Sequence, residues 1–262
     1  YKVCDVISIQ VTFDFAVNVT GTPQLTVETG ATDRVVNYTS GSGTTVLTFN
    51  YTVQTGDTSS DLDYVATTSL ALNAGTIRDA ALNDATLTLA TPGAAGSLAA
   101  NEAIVIDTTA PTASVTTATI ANTGNATVQS TETGTAYLVK STITVTNVAS
   151  ITGASVTSWN EVTIVTANLD TSLAATGLVD GSYKAYAVDA AGNLSAASTN
   201  TVTIDTTGPV VTGVDSSTAA GSYKVGDVIS IQVTFDETVT VVGTPQLTVE
   251  TGATDRVVNY TS

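Results

Sequence analysis

Eight residues with side-chain oxygens recur at matching places in this chain, and oxygen is what a hard divalent cation binds. Two hexapeptides carry the first pair: Ile106-Asp107-Thr108-Thr109-Ala110-Pro111 and Ile204-Asp205-Thr206-Thr207-Gly208-Pro209. Proline cannot donate to a sheet ladder, so a strand stops there. Asp107 and Asp205 therefore sit where one β-rich block meets the next. A second motif, Asp-Ala-Ala-Xaa-Asn, occurs at Asp79–Asn83 and again at Asp189–Asn193. Asp and Asn at i and i+4, joined by small residues, curl into a tight loop that offers side-chain and backbone oxygens together. A bare turn explains one such loop. Two, each followed by an Ile-Asp-Thr-Thr joint, point to a cation. Calcium takes about six to eight oxygens from several loops, and Glu132 and Glu237, each just after a candidate strand, are third contributors. The candidate ligands are thus Asp79, Asn83, Asp107, Asp189, Asn193, Asp205, Glu132 and Glu237, and the expected ion is Ca2+. Glu237 has an alternative as a plain surface residue. Asp61 and Asp63 form a further acidic pair, with a solvated turn as the competing reading.

Other chemistry is thin. The chain has no His and one Cys, which excludes Ser-His-Asp and Cys-His nucleophiles. No carboxylate pair stands out at glycosidase spacing, and no Gly-rich phosphate loop precedes a helix. No catalytic or cofactor-binding residue is nominated, and the chain reads as a non-enzyme. Seven basic residues against 23 acidic ones give a net charge of −16, so nucleic acid and anionic membrane surfaces repel it. No apolar run is long enough to span a bilayer, and no signal peptide is visible in this stretch. Cys4 stands alone, so no disulfide closes within the chain. Trp159 is read as core or edge packing, with a sugar-stacking platform as the alternative. The run Thr142-Ile143-Thr144-Val145-Thr146 reads as ordinary strand propensity rather than a surface-binding ladder.

The elements that position these residues follow from a repeat. Tyr1–Ser40 reappears as Tyr223–Ser262, 222 residues on, and Gly21–Ser40 is identical to Gly243–Ser262. The copies differ at Cys4/Gly226, Phe15/Glu237, Ala16/Thr238, Asn18/Thr240 and Thr20/Val242. Phe15 thus stands where Glu237 does in the later copy, and Cys4 reads as a tolerated substitution at a turn. Asp107 and Asp205 are 98 residues apart, close to the size of one immunoglobulin-like sandwich, about 100 residues. The chain is expected to alternate longer type-A and shorter type-B modules. Residues 1–107 are a type-A module lacking its first strand, 108–205 a type-B module, and 206–262 the first part of the next type-A module.

Val, Ile and Thr abound while aromatics are 5%, which favours strands. Alternation predicts strands over Val228–Phe235, Gln24–Glu28, Arg34–Tyr38, Thr45–Val53, Ala85–Ala90 and Ala103–Ile106 in type A. In type B it predicts Ala113–Thr117, Ala126–Ser130, Ala136–Val139, Glu161–Thr166, Tyr183–Val188 and Thr201–Ile204. The expected fold class is all-β, as tandem immunoglobulin-like β-sandwich domains.

The type-A stretches VGDVISIQVTFDETVTVVGTPQLTVETG, YTSGSGTTVLTFNYTVQTGDTSSDLDY, GTIRDAALNDATLTL and IDTTAP resemble the SwmB-type repeats of giant bacterial surface proteins. YKAYAVDAAGNLS and VTIDTTGP in type B are similar to bacterial Ig-like repeats of large adhesins. The resemblance implies a secreted, cell-surface protein of a Gram-negative bacterium, stiffened by calcium between domains. It carries calcium roles onto Asp79, Asn83, Asp107, Asp189, Asn193 and Asp205. The expected function is a structural repeat segment of a surface adhesin or extracellular filament of the kind found in biofilms. The alternatives are a glycan- or surface-binding module, or accessory domains of a secreted enzyme. Expected partners are neighbouring repeats or copies of itself, and cell-surface glycans; the first module's missing strand reads as an arbitrary window on a continuous array, with strand donation from a neighbouring subunit as the alternative.

Overall fold

The computed structural model describes residues 1–261, nearly all β, with two helices of four and five residues. Chain contacts divide it into two compact units, Tyr1–Asp205 and the residues from Thr206 onward. No helix among the described residues is long and apolar enough to cross a membrane.

The first block of unit 1 contains β1 (Val6–Thr20), β2 (Gln24–Val27), β3 (Arg34–Ser40), β4 (Thr44–Thr52), β5 (Leu70–Ala71), β6 (Thr76–Arg78) and helix α1 (Leu98–Asn101). The strands form one sheet in the order β5-β2-β3-β4-β1-β6. Alternation decides which side is inward: Leu47, Phe49 and Tyr51 of β4 are buried while Asn50 and Thr52 face out. Fifteen buried residues, from Ile7 to Ile106, make one core. β1 is longer than its alternating stretch because it changes partner. Val6–Thr12 pairs with β4, and after a bulge Asn18–Thr20 pairs with β6. Bulges of this kind turn a strand from one neighbour to another.

The second block contains β7 (Ala113–Val115), β8 (Ala118–Ile120), β9 (Asn125–Ser130), β10 (Gly134–Lys140), helix α2 (Val148–Thr152), β11 (Trp159–Ile164), β12 (Thr171–Ala174), β13 (Gly181–Asp189) and β14 (Val202–Ile204). They form a five-stranded sheet, β11-β10-β13-β14-β8, and a three-stranded sheet, β12-β9-β7. Inward residues of both sheets join in one core, from Ala113 to Ile204. Its fully buried members include Leu138, Leu173 and Tyr183. A smaller cluster of Tyr137, Val139 and Ile151 lies under α2, with Trp159 packed against it. The Trp159 and Tyr137 rings are 6.0 Å apart, so this tryptophan packs within the fold.

Unit 2 contains β15 (Val211–Ser216), β16 (Ile231–Phe235), β17 (Gln246–Val249) and β18 (Arg256–Asn259). The β17–β18 hairpin has the register of β2–β3, 222 residues on: Gln246 faces Asn259 as Gln24 faces Asn37. Both hairpins close with the same 2.9 Å Gln-to-Asn amide bond. None of the described residues of unit 2 is buried, so this hairpin owes its register to local sequence alone.

Several expected strands differ. Ala85–Ala90 forms no strand, and its Leu87 and Leu89 merely cover the first core. Ala103–Ile106 is reduced to one bridge between Ile106 and Ser59. Thr142–Thr146 is turn and coil leading into α2, whose N-cap is Asn147. The side chain of Asn147 takes the Ser150 N–H at 2.8 Å, and such a cap outcompetes the strand propensity of the run. Sequence periodicity missed β5, β6, β8 and β12, which have only two to four residues each.

Candidate functional site

The joint after Ile106 is held on three sides. The Asp107 N–H donates to the Tyr1 carbonyl at 2.9 Å. The Thr108 hydroxyl donates to the Asp57 carbonyl at 2.9 Å and accepts the Gly56 N–H at 3.1 Å. Beyond buried Pro111, the Thr112 N–H donates to the Thr131 hydroxyl at 2.8 Å. The joint is thereby fixed to the loop that carries Glu132. Asp107 is left with one carboxylate oxygen accepting the Thr109 N–H at 2.9 Å.

Asp189 arrives from the opposite side. The parity that buries Tyr183, Ala185 and Ala187 along β13 also buries Asp189 at its end, 7% exposed. A carboxylate in a core-facing place must find donors. The Asp-Ala-Ala-Gly-Asn loop supplies them. Asp189 Oδ1 accepts the N–H groups of Gly192 at 2.7 Å and Asn193 at 2.9 Å, and Oδ2 accepts the Asn193 side-chain amide at 2.8 Å. Gly192 has φ +90°, a left-handed turn that glycine adopts without a Cβ penalty. The same Asn193 amide reaches the Asp107 carbonyl at 2.9 Å. That bond stitches the loop of the second block directly to the joint.

These constraints bring oxygens of Asp107, Glu132 and Asp189 within 4.8 Å of one another. Burial pushes the Glu132 carboxyl up from its ordinary range, and the charges of Asp107 and Asp189 push it further the same way. Among the described residues, no lysine or arginine forms an ion pair with any of the three. Lys2, whose stem lies near Gly192, pairs with Asp5 at 3.0 Å. Three mutually repelling carboxylates, each with lone pairs left over, form a hard-oxygen donor set. Asn193 and the Asp107 carbonyl lie beside them. The arrangement can concentrate positive charge.

The other nominated residues fare differently. Asp79 and Asn83 close the same loop in the first block. Asp79 Oδ1 accepts the N–H groups of Ala81 at 2.9 Å and Asn83 at 2.8 Å, and Oδ2 accepts the Asn83 amide at 2.8 Å. Those bonds, the Asn83 side chain first, hold the Asp79 carboxyl below its ordinary range. Leu82, not glycine, takes the left-handed place there, with φ +70°. Asp79, Asp205 and Glu237 belong to no acidic group of three among the described residues. Asp205 is half-buried, its N–H on the Ile120 carbonyl at 3.0 Å. Glu237 is exposed in unit 2. Of the second acidic pair, Asp61 is exposed, whereas Asp63 is buried and accepts the N–H groups of Tyr64 and Gly93 at 2.9 Å. Asp63 is therefore a loop clasp.

A third buried carboxylate, Asp57, was not singled out by sequence. It is 1% exposed and takes the Arg34 guanidinium at 2.7 Å, the Gln54 N–H at 2.9 Å and the Tyr51 hydroxyl. Burial pushes its carboxyl up, but the bonds from Arg34, Tyr51 and Gln54 outweigh that and hold it below its ordinary range. Burial, then the bond to Asp57, pushes the Tyr51 hydroxyl up. Because Thr108 bonds to the Asp57 carbonyl, this ion pair anchors the joint from the first block. One signal was available: arginine is scarce in this chain, and Arg34 opens a strand.

The chain matches no known family model and no curated protein.

Proposed function

We propose that this chain is a structural repeat segment of a bacterial surface adhesin or extracellular filament, stiffened at its joint by Ca2+. The observation that carries the reading is the meeting of Asp107, Glu132 and Asp189. One of these belongs to the linker and two to the block after it, Glu132 in a loop and Asp189 at the end of β13, so a cation held there fixes the linker against that block. The Asp57–Arg34 clasp fixes the same linker to the block before it. Calcium would take carboxylate oxygens from Asp107, Glu132 and Asp189 and would neutralise a site that otherwise repels itself. The second block supports an immunoglobulin-like sandwich. Its sheets of three and five strands share one core, and its last strand, β14, pairs in parallel with β8 near its start. The near-identical repeat and the resemblance to SwmB-type and bacterial Ig-like repeats support a tandem array whose length grows by repetition.

Small-angle scattering of the full chain in calcium and in chelator tests this reading. A stiff joint gives a narrower distribution of interatomic distances with calcium. Superposable curves in both buffers would sink the mechanical role.

A further inference from the structure

The sheet of the first block opens between β3 and β4. The two strands pair only at Tyr38–Phe49 and Ser40–Thr48, across a register shift. Beyond that point Arg34–Asn37 pairs with β2 alone, and Asn50–Thr52 with β1 alone. Where a ladder bond would cross, the Asn50 N–H donates instead to the Thr39 hydroxyl at 3.2 Å. The gap closes again at its far end. There Arg34 reaches Asp57 at 2.7 Å, and the Gln54 N–H donates to the same carboxylate at 2.9 Å. What remains is an open cleft of about 480 Å³, lined by residues 34–39, 50–52 and 54. From Arg34 to Tyr38 it runs about 13 Å, at about 3.3 Å per residue. Both walls are interior strands of the six-stranded sheet, so the cleft is complete within the block.

The exposed side chains of the cleft are uncharged: Val35, Asn37, Thr39, Asn50, Thr52 and Gln54. Arg34, the one charge in the lining, is committed to Asp57. The Gln24 amide donates to Asn37 Oδ1 at 2.9 Å, which fixes the Asn37 group and leaves its NH2 donors for a ligand. Each amide offers donors and an acceptor, and each hydroxyl offers both, as the hydroxyls of a sugar do. Val35, 57% exposed, and the half-buried Tyr38 supply apolar surface for the C–H face of a sugar ring. A chain of net charge −16 repels an acidic ligand. A strand from another chain does not fit, because the Tyr38–Phe49 pair closes one end of the cleft and the Arg34–Asp57 ion pair closes the other.

We propose that this cleft between β3 and β4 binds a short neutral glycan, with the amides of Asn37, Asn50 and Gln54 and the hydroxyl of Thr52 as its hydrogen-bonding partners. The sugar hydroxyls replace water on these groups, and the ring's apolar face lies against Val35 and Tyr38. The inference gives the surface-protein reading above a ligand. It does not depend on the calcium joint, since Asp107, Glu132 and Asp189 take no part in lining the cleft.

The test uses the full chain in chelator, so that its failure is separate from failure of the calcium joint. Affinity electrophoresis is run in native gels containing dextran, laminarin, galactomannan or hydroxyethyl cellulose as neutral probes, and alginate or polygalacturonate as acidic ones. Mobility is read against a gel without polysaccharide. The proposal expects at least one neutral polysaccharide to retard the chain and neither acidic one to do so. Asn37→Asp and Asn50→Asp, both at exposed positions, each raise the apparent dissociation constant by about tenfold or more, since an amide donor gives way to a charged acceptor. Asn125→Asp, equally exposed but in the second block, changes it by less than about twofold. Unchanged melting temperatures of the three variants separate loss of binding from loss of fold. The proposal is overturned by no retardation in any neutral gel, by retardation in the acidic gels alone, or by an Asn37→Asp, Asn50→Asp double variant retarded as strongly as wild type.

Discussion

Replacing Glu132 by Gln should reverse the order of two stabilities, and the joint's geometry sets the size of the effect. Oxygens of Asp107, Glu132 and Asp189 lie within 4.8 Å of one another. Two unit charges at that separation repel by about 3.5 kcal/mol at an effective dielectric near 20, and by about 0.9 kcal/mol in bulk water. Glu132 is half-buried, so its repulsions fall between these limits, and screening leaves about 2 kcal/mol for removing its charge. In chelator, Glu132→Gln should therefore melt above wild type by about 4–8 °C, at about 2–4 °C per kcal/mol for a unit of this size. In calcium the same change removes a ligand. A site bound at about 100 times its dissociation constant stabilises the folded state by about 2.7 kcal/mol. Wild type should then gain about 5–10 °C on moving from chelator to calcium. Glu132→Gln should gain less than about a fifth of that, which leaves it below wild type in calcium. The assay is differential scanning calorimetry of both proteins in both buffers. The same order of melting temperatures in both buffers, or a wild type indifferent to calcium, would refute the reasoning.

Acidification in chelator should stabilise the joint. The Glu132 carboxyl is raised in the fold, by burial first and its acidic neighbours second. Its contribution is fully present below its ordinary value of 4.5 and is lost as pH rises through the folded value. In calcium, melting temperatures over the same range should fall with pH instead, because protons displace the ion. Asp57 acts in a lower window. Its carboxyl is held below the ordinary 3.8, so its contribution is present above that value and lost as pH falls through the folded one. Asp57→Ala should cost about 3–5 kcal/mol in urea unfolding, because it strands Arg34 and the Tyr51 hydroxyl. Cys4→Gly should add about 1 kcal/mol in the same assay. Cys4 holds φ +73°, and its counterpart Gly226 takes φ +95°.

Local chemistry was legible in the sequence. The repeat, the alternating strands, the two Asp-to-Asn loops and the break at each Pro need only neighbours along the chain, and the identical registers of β2–β3 and β17–β18 illustrate how far such signals reach. What the sequence left open was partnership. Both loops follow the same pattern and are followed by the same joint motif, yet Asp107 meets the loop of the block after it. That choice depends on how β13 and the joint pack, which no spacing along the chain encodes. In the first block Phe15, 69% exposed, stands where a Glu follows the strand in the later copy, and Asp79 gathers no acidic partners. Asp57 and Arg34 are 23 residues apart, and only the fold of β3 against the loop after β4 shows that they pair. Ala85–Ala90 has a strand's composition, but composition cannot provide an edge to pair with.

The most direct measurement is a crystal structure of the chain grown in calcium, with anomalous data. The account predicts one strong peak among Asp107, Glu132 and Asp189, with oxygens at about 2.3–2.6 Å. Saturating calcium with no peak there, and the three carboxylates turned apart into solvent, would contradict it.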